Sequence, residues 1–221
     1  MRAGRVEIIF EDAHLAVVSK PAGLLSQGEI KGDPNLVEEL RGYFGRYYVG
    51  LVHRLDRNTS GLMVVAKRSK AAARLTAALQ SGELQRIYQA WLCGHLAQAQ
   101  QWHHWLFKDE AANRTRAFKN KTGSAKEALL RVTPLRTVRR EGQDYTLAQF
   151  TLETGRSHQI RVQSAFEGYP LAGDKKYGPR PEGRAVISRP ALHSAHLSFP
   201  HPMSAEKMTF DLALPEDMRW I

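Results

Sequence analysis

Short runs of apolar residues, separated by polar turns, recur along most of this chain. Residues 6–10 and 15–19 are two such runs, and the short polar segment between them predicts a β-hairpin. Lys20-Pro21-Ala22-Gly23 then predicts a turn, because proline fixes φ and glycine allows φ values that other residues avoid. Further strands are predicted at residues 84–92, 128–132, 145–152, 192–199 and 208–212.

Three segments have the apolar spacing and the flanking residues of helices. Each has a candidate capping residue at its start, and two have a glycine just past their end. The predicted helices are 35–44, capped by Asp33 with Pro34 in the first turn; 69–80, capped by Ser69 with Gly82 past its end; and 158–166, capped by Ser157 and ending at Gly168.

Seven or eight strands and three helices are thus predicted, and they do not alternate regularly. Irregular order favours an α+β fold, with a mixed, largely antiparallel sheet flanked by a few helices. The chain has no internal repeat, no low-complexity tract and no linker rich in Gly, Ser or Pro. We therefore expect a single domain over residues 1–221.

A dense polar segment, His53 to Gly61, interrupts two apolar runs at residues 47–52 and 62–66. The runs predict strands, and the segment predicts the tight connection between them. Its carboxylate, Asp56, is flanked by arginines and followed by Thr-Ser-Gly. Asp56 alone is also explained as a turn residue, because Asp readily bonds to the backbone two residues further on.

The charge of the chain is strongly positive and unevenly distributed. Its 221 residues include 32 Lys or Arg and 22 Asp or Glu, a formal net charge of +10. Residues 107–140 contain ten Lys or Arg and three Asp or Glu, and so carry +7 of that charge. A basic cluster of this kind favours a polyanion such as nucleic acid as the partner. The alternative is a solvated face that only maintains solubility.

Cysteine content and hydropathy indicate the compartment. Cys93 is the single cysteine, so an internal disulfide is excluded and a reducing compartment is expected. The first residues lack the apolar core of a signal peptide, and no apolar run approaches the ~18 residues of a membrane helix. We expect a cytoplasmic protein without a membrane partner.

Neither a metal site nor a nucleotide cofactor is predicted. His193 and His196 lie on a predicted strand, where a spacing of three directs the two imidazoles to opposite faces. No glycine-rich phosphate loop follows a strand.

A second polar constellation lies at the start of the third predicted helix, in residues 155–162. His158 and Arg161 are three residues apart and are expected to share one helix face. A half-buried arginine there needs a carboxylate partner, for which Asp56 is a candidate. The alternative for Arg161 is an ordinary surface position on the helix.

The order of these segments resembles the RluA-type family of RNA pseudouridine synthases, over about residues 6–214. The segments that carry the resemblance are Lys20-Pro21-Ala22-Gly23, His53-Arg54-Leu55-Asp56-x-x-Thr59-Ser60-Gly61, Arg86-Ile87-Tyr88-x-Ala90 and Gly155-Arg156-Ser157-His158-Gln159-Ile160-Arg161. Leu171-Ala172-Gly173-Asp174-x-x-Tyr177-Gly178 and Leu192-His193 resemble later landmarks of the family.

The resemblance implies a role for four residues. Asp56 is implied to be the catalytic carboxylate, Tyr88 the active-site tyrosine and Arg161 the partner of Asp56. Arg54 is implied to lie beside the flipped nucleotide. For Tyr88 a plain core position stays open as well.

Three positions depart from the family pattern. Arg86 stands where the family usually has Lys, and Ser19 stands where Asn is common before Lys-Pro. Gln163 stands where the family often has His after the Gln-Ile-Arg-Val run. None of them removes a catalytic role, and Gln163 is expected to alter local RNA contacts.

The implied activity is isomerisation of uridine to pseudouridine in ribosomal or transfer RNA, without a cofactor. The target base must flip out of its helix, at a cost of a few kcal/mol. Phosphate contacts from the basic segment are expected to offset that cost, and the candidates are Arg114, Arg116, Lys119 and Lys121. The family pattern starts within ten residues of Met1, so no RNA-binding domain is expected ahead of it. We also expect the protein to be a monomer.

Two other functions stay open from the sequence. One is a hydrolytic RNA enzyme in which Asp56 works with His53 or His158 as acid and base. The other is a non-catalytic RNA-binding module of the same fold.

Overall fold

The computed structural model describes residues 5–28, 33–45, 48–178 and 187–219. Within these ranges the chain has an α+β fold with three α-helices, eleven strands and one short 3-10 helix. It divides into two compact units. The first is Met1–Arg86 with His193–Pro215, and the second is Ile87–Leu192 with Glu216–Ile221.

Most strands are short and joined by tight turns. In chain order the elements are β1 (Glu7–Glu11), β2 (Leu15–Lys20), α1 (Leu36–Phe44), β3 (Gly50–Leu51), β4 (Ser60–Ala66), α2 (Ser69–Gln80), β5 (Gln85–Cys93), β6 (Gln100–Asp109), β7 (Arg114–Phe118), β8 (Lys126–Arg140), β9 (Gln143–Leu152), α3 (Gln159–Phe166), β10 (Leu192–Pro200), β11 (Lys207–Asp211) and the 3-10 helix Glu216–Met218.

The sheet of the first unit follows the order β1-β2-β4-β10-β11. Its neighbouring strands are antiparallel except β4 and β10, which are parallel, and β3 adds an antiparallel pairing to β4. All seven residues of β4 are buried. Leu62 and Val64 of β4 pack with Leu75 of α2 in one apolar cluster. Burial of each such side chain contributes about 1.5–3 kcal/mol to folding.

The second unit contains the antiparallel strands β5-β9-β8-β6-β7, with β7 at the edge. Val162 of α3 packs with Leu106 of β6 and Ala128 of β8, so α3 covers one face of this sheet. The basic segment 107–140 forms the end of β6, all of β7 and all of β8. The mixed, largely antiparallel α+β architecture predicted from the sequence is confirmed.

The first two helices lie where the sequence predicts them, but their caps differ. Asn35, not Asp33, caps α1, because its side-chain oxygen accepts the backbone N–H of Glu38 at 3.1 Å. Asp33 lies two residues outside that position. Ser69 is the first helical residue of α2, and Arg68 occupies the cap position without a side-chain capping bond to the helix.

The start of the third helix was also predicted one residue too early. α3 begins at Gln159, and His158 occupies the cap position in the left-handed conformation, with φ +55°. Ser157 is therefore not the cap. No helix within the described ranges is long and apolar enough to cross a membrane.

The predicted number of strands, seven or eight, is lower than the eleven in the described ranges, and β6 and β7 are the two strands that no predicted run covers. Buried positions alternate along β6, but one of them is His104, which interrupts the apolar pattern. In β7 the alternation consists of exposed arginines around the buried Thr115. Charged edge strands of this kind carry little apolar signal.

The predicted strand at residues 47–52 is reduced to β3, Gly50–Leu51, and Tyr47 lies outside the described residues. β3 and β4 form the predicted antiparallel pair, with Leu51 opposite Val65. Their connection, residues 52–59, is longer than the tight turn predicted, and it contains Asp56.

Candidate active site

Asp56 lies in the connection between β3 and β4 of the first unit. The backbone N–H of Thr59 donates a hydrogen bond to the Asp56 carbonyl oxygen at 3.0 Å, which closes a turn over Arg57 and Asn58. Asp56 itself is partly exposed. The turn expected from the sequence is present, and further contacts fix the backbone on both sides of the carboxylate.

The residue before Asp56 is held at both of its backbone groups by one hydroxyl. Ser26 Oγ donates to the Leu55 carbonyl at 2.7 Å and accepts the Leu55 N–H at 3.0 Å. Ser26 and Leu55 are both buried. Because this hydroxyl donates and accepts at once, its rotation is fixed, and so is the backbone it bonds.

The residue after Asp56 is held by the turn that follows β2. The N–H of Gly23 donates to the Arg57 carbonyl at 2.8 Å, and Lys20 Nζ donates to the same oxygen at 3.2 Å. Lys20 is fully buried and also donates to the Leu24 carbonyl at 2.7 Å. Asp56 therefore lies between two residues whose backbone is fixed, which favours a pre-organised carboxylate.

The end of the connection is anchored to β10. Ser60 Oγ and His193 Nδ1 share a buried hydrogen bond of 2.9 Å. Gly61 has φ +119°, and a Cβ at this position would lie 2.3 Å from the Ser194 carbonyl oxygen. Glycine is required here by both its conformation and its contact with β10.

His53 is held neutral inside the first unit. Burial, with the charge of Arg86 second, lowers the pKa of His53 to about 3. Its Nε2 accepts the backbone N–H of Val64 at 3.3 Å, so the ring proton resides on Nδ1. A neutral imidazole whose Nε2 is occupied in this way is poorly suited to work with Asp56 as an acid or base.

Arg161 is held in the second unit by a carboxylate that the sequence did not identify as its partner. Its Nε and Nη2 donate to Asp174 Oδ2 at 2.7 Å and Oδ1 at 2.9 Å. The side chains are 10% and 1% exposed. Burial alone would raise the pKa of the Asp174 carboxyl, but the hydrogen bonds and charge of Arg161, with two backbone N–H groups, hold that pKa below its usual value.

His158 and Arg161 share a neighbour, as their spacing predicts. His158 Nδ1 and the Tyr177 hydroxyl share a hydrogen bond of 2.7 Å. The Arg161 guanidinium lies over the Tyr177 ring, 5.1 Å from its centre. Residues at the start of α3 are thus gathered around Tyr177, a residue the sequence showed only as a landmark.

Tyr88 lies in β5, opposite Phe150 of β9, and is 5% exposed. Its burial is compatible with both interpretations offered by the sequence, a core residue and an active-site tyrosine. Its catalytic role therefore stays a prediction.

Gln163, one of the departures from the family pattern, lies in the second unit. It is fully buried, and its Nε2 lies 2.9 Å from Nδ1 of the buried His104. His104 Nε2 in turn lies 2.8 Å from a Glu167 carboxylate oxygen. This burial contradicts a direct contact of the Gln163 side chain with RNA, and an indirect effect of the position on RNA contacts stays a prediction.

The predicted RNA-binding residues are all exposed. Arg54 lies in the same connection as Asp56. Arg114 and Arg116 flank the buried Thr115 in the edge strand β7, and Lys119 and Lys121 follow in the turn to β8. Two of the cations therefore lie on the edge strand of the second unit's sheet and two in the turn after it, whereas five other cations of the basic segment lie on β8, between β9 and β6.

The sequence-predicted residues are distributed over both units. Asp56 and Arg54 share one loop of the first unit, whereas Tyr88, Arg161 and the basic segment belong to the second. The predicted pairing of Asp56 with Arg161 stays a prediction. The roles of Lys20, Ser26, Asp174 and Tyr177 were not foreseen, although three of the four lie in segments that carry the family resemblance or at their edge.

The described part of the chain contains no group of three or more His, Cys, Asp or Glu side chains with the geometry of a metal site.

Comparison with known proteins shows which family this chain is similar to. The model of the family described as RNA pseudouridylate synthase matches residues 14–166. Ribosomal large subunit pseudouridine synthase D of Zymomonas mobilis is 35% identical over 232 residues, which cover 97% of this chain and 71% of that protein. The protein of the same name from Pseudomonas aeruginosa is 34% identical over 237 residues, covering 98% and 70%.

The fold is also found in a solved structure. Human RNA pseudouridylate synthase domain containing 1 matches with a TM-score of 0.79 and 23% identity, covering 96% of this chain and 86% of that one. This likeness concerns the fold.

Proposed function

Because this chain belongs to the RNA pseudouridylate synthase family, we propose that it isomerises uridine to pseudouridine in the ribosomal RNA of the large subunit. The choice of RNA rests on the names of its relatives, with transfer RNA as the other candidate. The observation that carries the activity is the fixed backbone on both sides of Asp56. The proposed location is the cytoplasm, and the proposed active form is a monomer.

The reaction needs a well-placed carboxylate more than it needs any other group. The bond between uracil N1 and ribose C1′ breaks, and a bond between C5 and C1′ forms. C5 loses a proton and N1 gains one, so the reaction balances without a redox partner or a second substrate. A carboxylate stabilises or captures the cationic sugar, or adds to the base. We assign this role to Asp56.

Arg161 and Tyr88 complete the proposed catalytic set. A guanidinium is always charged, and near Asp56 it favours the ionised carboxylate that the reaction requires. Tyr88 offers a flat ring to pack against the extruded uracil and a hydroxyl to handle a proton. We propose that residues 1–221 act as one catalytic domain.

RNA recognition is assigned to exposed cations. Arg54 is exposed and lies two residues before Asp56. We propose that it lies beside the flipped nucleotide and helps to hold the gap that the nucleotide leaves. Arg114, Arg116, Lys119 and Lys121 are proposed to contact phosphates of the flanking RNA.

The activity is tested with Asp56→Asn, which removes the charge with little change in volume. We expect folding and RNA binding to persist and pseudouridine formation to disappear. Asp211→Asn, which changes an exposed carboxylate of β11, is the matched control and should stay active. A rate for Asp56→Asn within about tenfold of wild type, roughly 1.4 kcal/mol in barrier, contradicts the assignment.

Arg161→Ala tests the second assignment. Without the guanidinium, the carboxylate of Asp56 loses its proposed counter-charge, so we expect the single-turnover rate at saturating RNA to fall by about tenfold or more while the Kd for RNA changes little. A folded variant whose rate stays within about threefold of wild type contradicts the proposed pair.

The substrate is tested by mapping pseudouridine in total RNA from a strain lacking this gene. Loss of a site in large-subunit ribosomal RNA is expected, whereas loss in transfer RNA alone reassigns the substrate. A hydrolytic enzyme would instead shorten the RNA or release a base, and isomerisation leaves chain length and mass unchanged.

A further inference from the structure

The guanidinium of Arg161 is fixed on two sides within the second unit. Asp174 takes up the edge formed by Nε and Nη2 with two hydrogen bonds, at 2.7 and 2.9 Å. The ring of Tyr177 lies 5.1 Å from the guanidinium carbon. A bidentate carboxylate fixes the plane of a guanidinium, and an aromatic ring restricts movement perpendicular to that plane.

Asp174 is itself fixed by its own loop. Its Oδ1 accepts the backbone N–H of Lys176 at 3.0 Å and that of Tyr177 at 3.2 Å. Its carbonyl accepts the N–H of Gly178 at 2.8 Å, and a Cβ on Gly178 would lie 2.7 Å from that oxygen. The spacing of Asp174, Tyr177 and Gly178 is thus explained by one compact turn that presents a carboxylate to α3.

Tyr177 connects this turn to the edge strand that carries the basic residues. The backbone N–H of Thr115 donates to the Tyr177 hydroxyl oxygen at 3.0 Å, and the same hydroxyl bonds His158. The Arg114 guanidinium lies 5.4 Å from the centre of the Tyr177 ring. His158 has a positive φ, a conformation that persists only where surrounding contacts hold it, and the Tyr177 bond is such a contact.

We infer that Asp174 and Tyr177 are positioning residues for Arg161, acting on the reaction through the orientation of its guanidinium. This inference rests on the proposed role of Arg161 in the reaction. Displacement of a group in an active site by about 1 Å is enough to cost on the order of a hundredfold in rate. Loss of Asp174 therefore slows the chemical step and leaves RNA affinity nearly unchanged.

The test compares Asp174→Asn with a matched variant of the same kind. Arg189 and Asp217, also in the second unit, form a bidentate pair at 2.6 and 2.8 Å. Asp217→Asn therefore disrupts a pair of the same bidentate geometry, at a more exposed carboxylate, that has no proposed role in the reaction. For each variant the single-turnover rate at saturating RNA and the Kd for RNA are measured below its unfolding temperature.

We expect Asp174→Asn to lower the rate by about tenfold or more while the Kd changes by less than about threefold. Asp217→Asn should leave both near wild type. If Asp174→Asn does not fold, Asp174→Glu replaces it. This variant keeps the charge, but its longer side chain cannot satisfy Arg161 and the two backbone N–H groups together, so its rate should also fall.

A double-mutant cycle separates positioning from general damage. Arg161→Ala with Asp174→Asn should be no slower than Arg161→Ala alone, because Asp174 acts only through Arg161. The positioning role is overturned if the effects of the two substitutions on the rate are fully additive. It is also overturned if Arg161→Ala is slow but folded Asp174→Asn has the wild-type rate. If Arg161→Ala and Asp56→Asn are both as fast as wild type, the proposed function fails first, and the inference fails with it.

Discussion

Lys20 is a charged side chain with no exposed surface, and it bonds the backbone of the residue after Asp56. Its ammonium donates to the carbonyls of Pro21, Leu24 and Arg57. Burial of a charge is costly unless hydrogen bonds satisfy it, and these three carbonyl acceptors all lie around the candidate site. The position is therefore explained by what Lys20 does for the backbone after Asp56.

Lys20→Met keeps the length of the side chain and removes its donors. We expect a loss of stability of about 1–3 kcal/mol from the carbonyls left unsatisfied, and a fall in single-turnover rate larger than the fall in RNA affinity. Lys67→Met is the control, because Lys67 is also buried in the first unit but bonds Glu11. Equal effects of the two variants on the rate would assign Lys20 to stability alone.

His53 makes the stability of the first unit depend on pH. Its pKa is about 6.5 unfolded and is lowered to about 3 by burial in the folded chain. Between these values the unfolded chain binds a proton that the folded chain does not, so stability falls as the pH drops from 6.5 toward 3. His53→Gln removes this contribution.

Urea unfolding at pH 7 and pH 5 measures the effect. Between pH 7 and pH 5, the free energy of unfolding should fall by about 2 kcal/mol more for wild type than for His53→Gln. This difference follows because the protonation of His53 in the unfolded chain costs the folded chain about 1.4 kcal/mol per pH unit below pH 6.5. His103→Gln, at an exposed position, should behave like wild type. The same pH dependence in wild type and His53→Gln would show that His53 is not neutral in the folded chain.

Residue chemistry was predictable wherever neighbours in sequence carry the signal. The turn at Asp56 is local, and the structure has it. His158 and Arg161 both contact Tyr177, but His158 lies at the cap position before α3 and not on a face of the helix. The bidentate partner of Arg161 was not predictable, because Asp174 lies thirteen residues away across a loop. Helix periodicity does not extend across a loop, and the sequence does not distinguish the carboxylate that pairs with Arg161 from the other carboxylates.

At the scale of elements, four cations of the basic segment lie on the edge strand β7 and in the turn after it. Arg114, Arg116, Lys119 and Lys121 are all exposed, and the Arg114 guanidinium also lies over the Tyr177 ring. Cations on an edge strand also prevent unwanted strand pairing, so their presence alone does not establish an RNA contact. The salt dependence of binding distinguishes the two roles.

Replacing Arg114, Arg116 and Lys119 by Ala should weaken RNA binding and flatten the slope of log affinity against log salt by about two units. Each lost phosphate contact contributes about 0.7–0.9, and Arg114 is already engaged with Tyr177. Removing the same charge from the first unit, at Lys70, Arg74 and Lys207, is the control. If the two triple variants have equal slopes of log affinity against log salt, the cations of the segment do not contact RNA. Their role would then be to keep the edge strand solvated and to prevent unwanted strand pairing.

Elements were predicted well where apolar spacing is regular and poorly where polar residues occupy buried positions. α1, α2 and most strands fall within a few residues of their predicted bounds. β6 was missed because His104 is buried in it, stabilised by Gln163 and Glu167 from α3 and the residue after it. These partners are about sixty residues away, so the sequence around β6 does not show that a histidine can be buried there.

At the scale of the whole molecule, the chain does not build its two units one after the other. It leaves the first unit after Arg86, returns to it at His193, and contributes the residues from Glu216 onward to the second. No linker rich in Gly, Ser or Pro marks these transitions. Division into two units was therefore not predictable, although the α+β class was.

The final turn of the chain is expected to contribute to the stability of the second unit. The Trp91 indole N–H donates to the Met218 carbonyl at 2.9 Å, and the Arg189 guanidinium, 9% exposed, forms a bidentate pair with Asp217. Asp217→Ala leaves the buried Arg189 without this carboxylate. Because Asp217 is 47% exposed, solvent screens part of the loss, and we expect about 1–3 kcal/mol.

Thermal or urea unfolding of Asp217→Ala measures this loss, with Asp144→Ala as the control. Asp144 is also paired with an arginine, Arg139, but that arginine is 71% exposed, so its loss should cost less than about 1 kcal/mol. Hydrogen exchange should report faster opening in β5, which carries Trp91, than in β4 of the first unit. Equal stability of the two variants would mean that the final turn docks on the second unit without stabilising it.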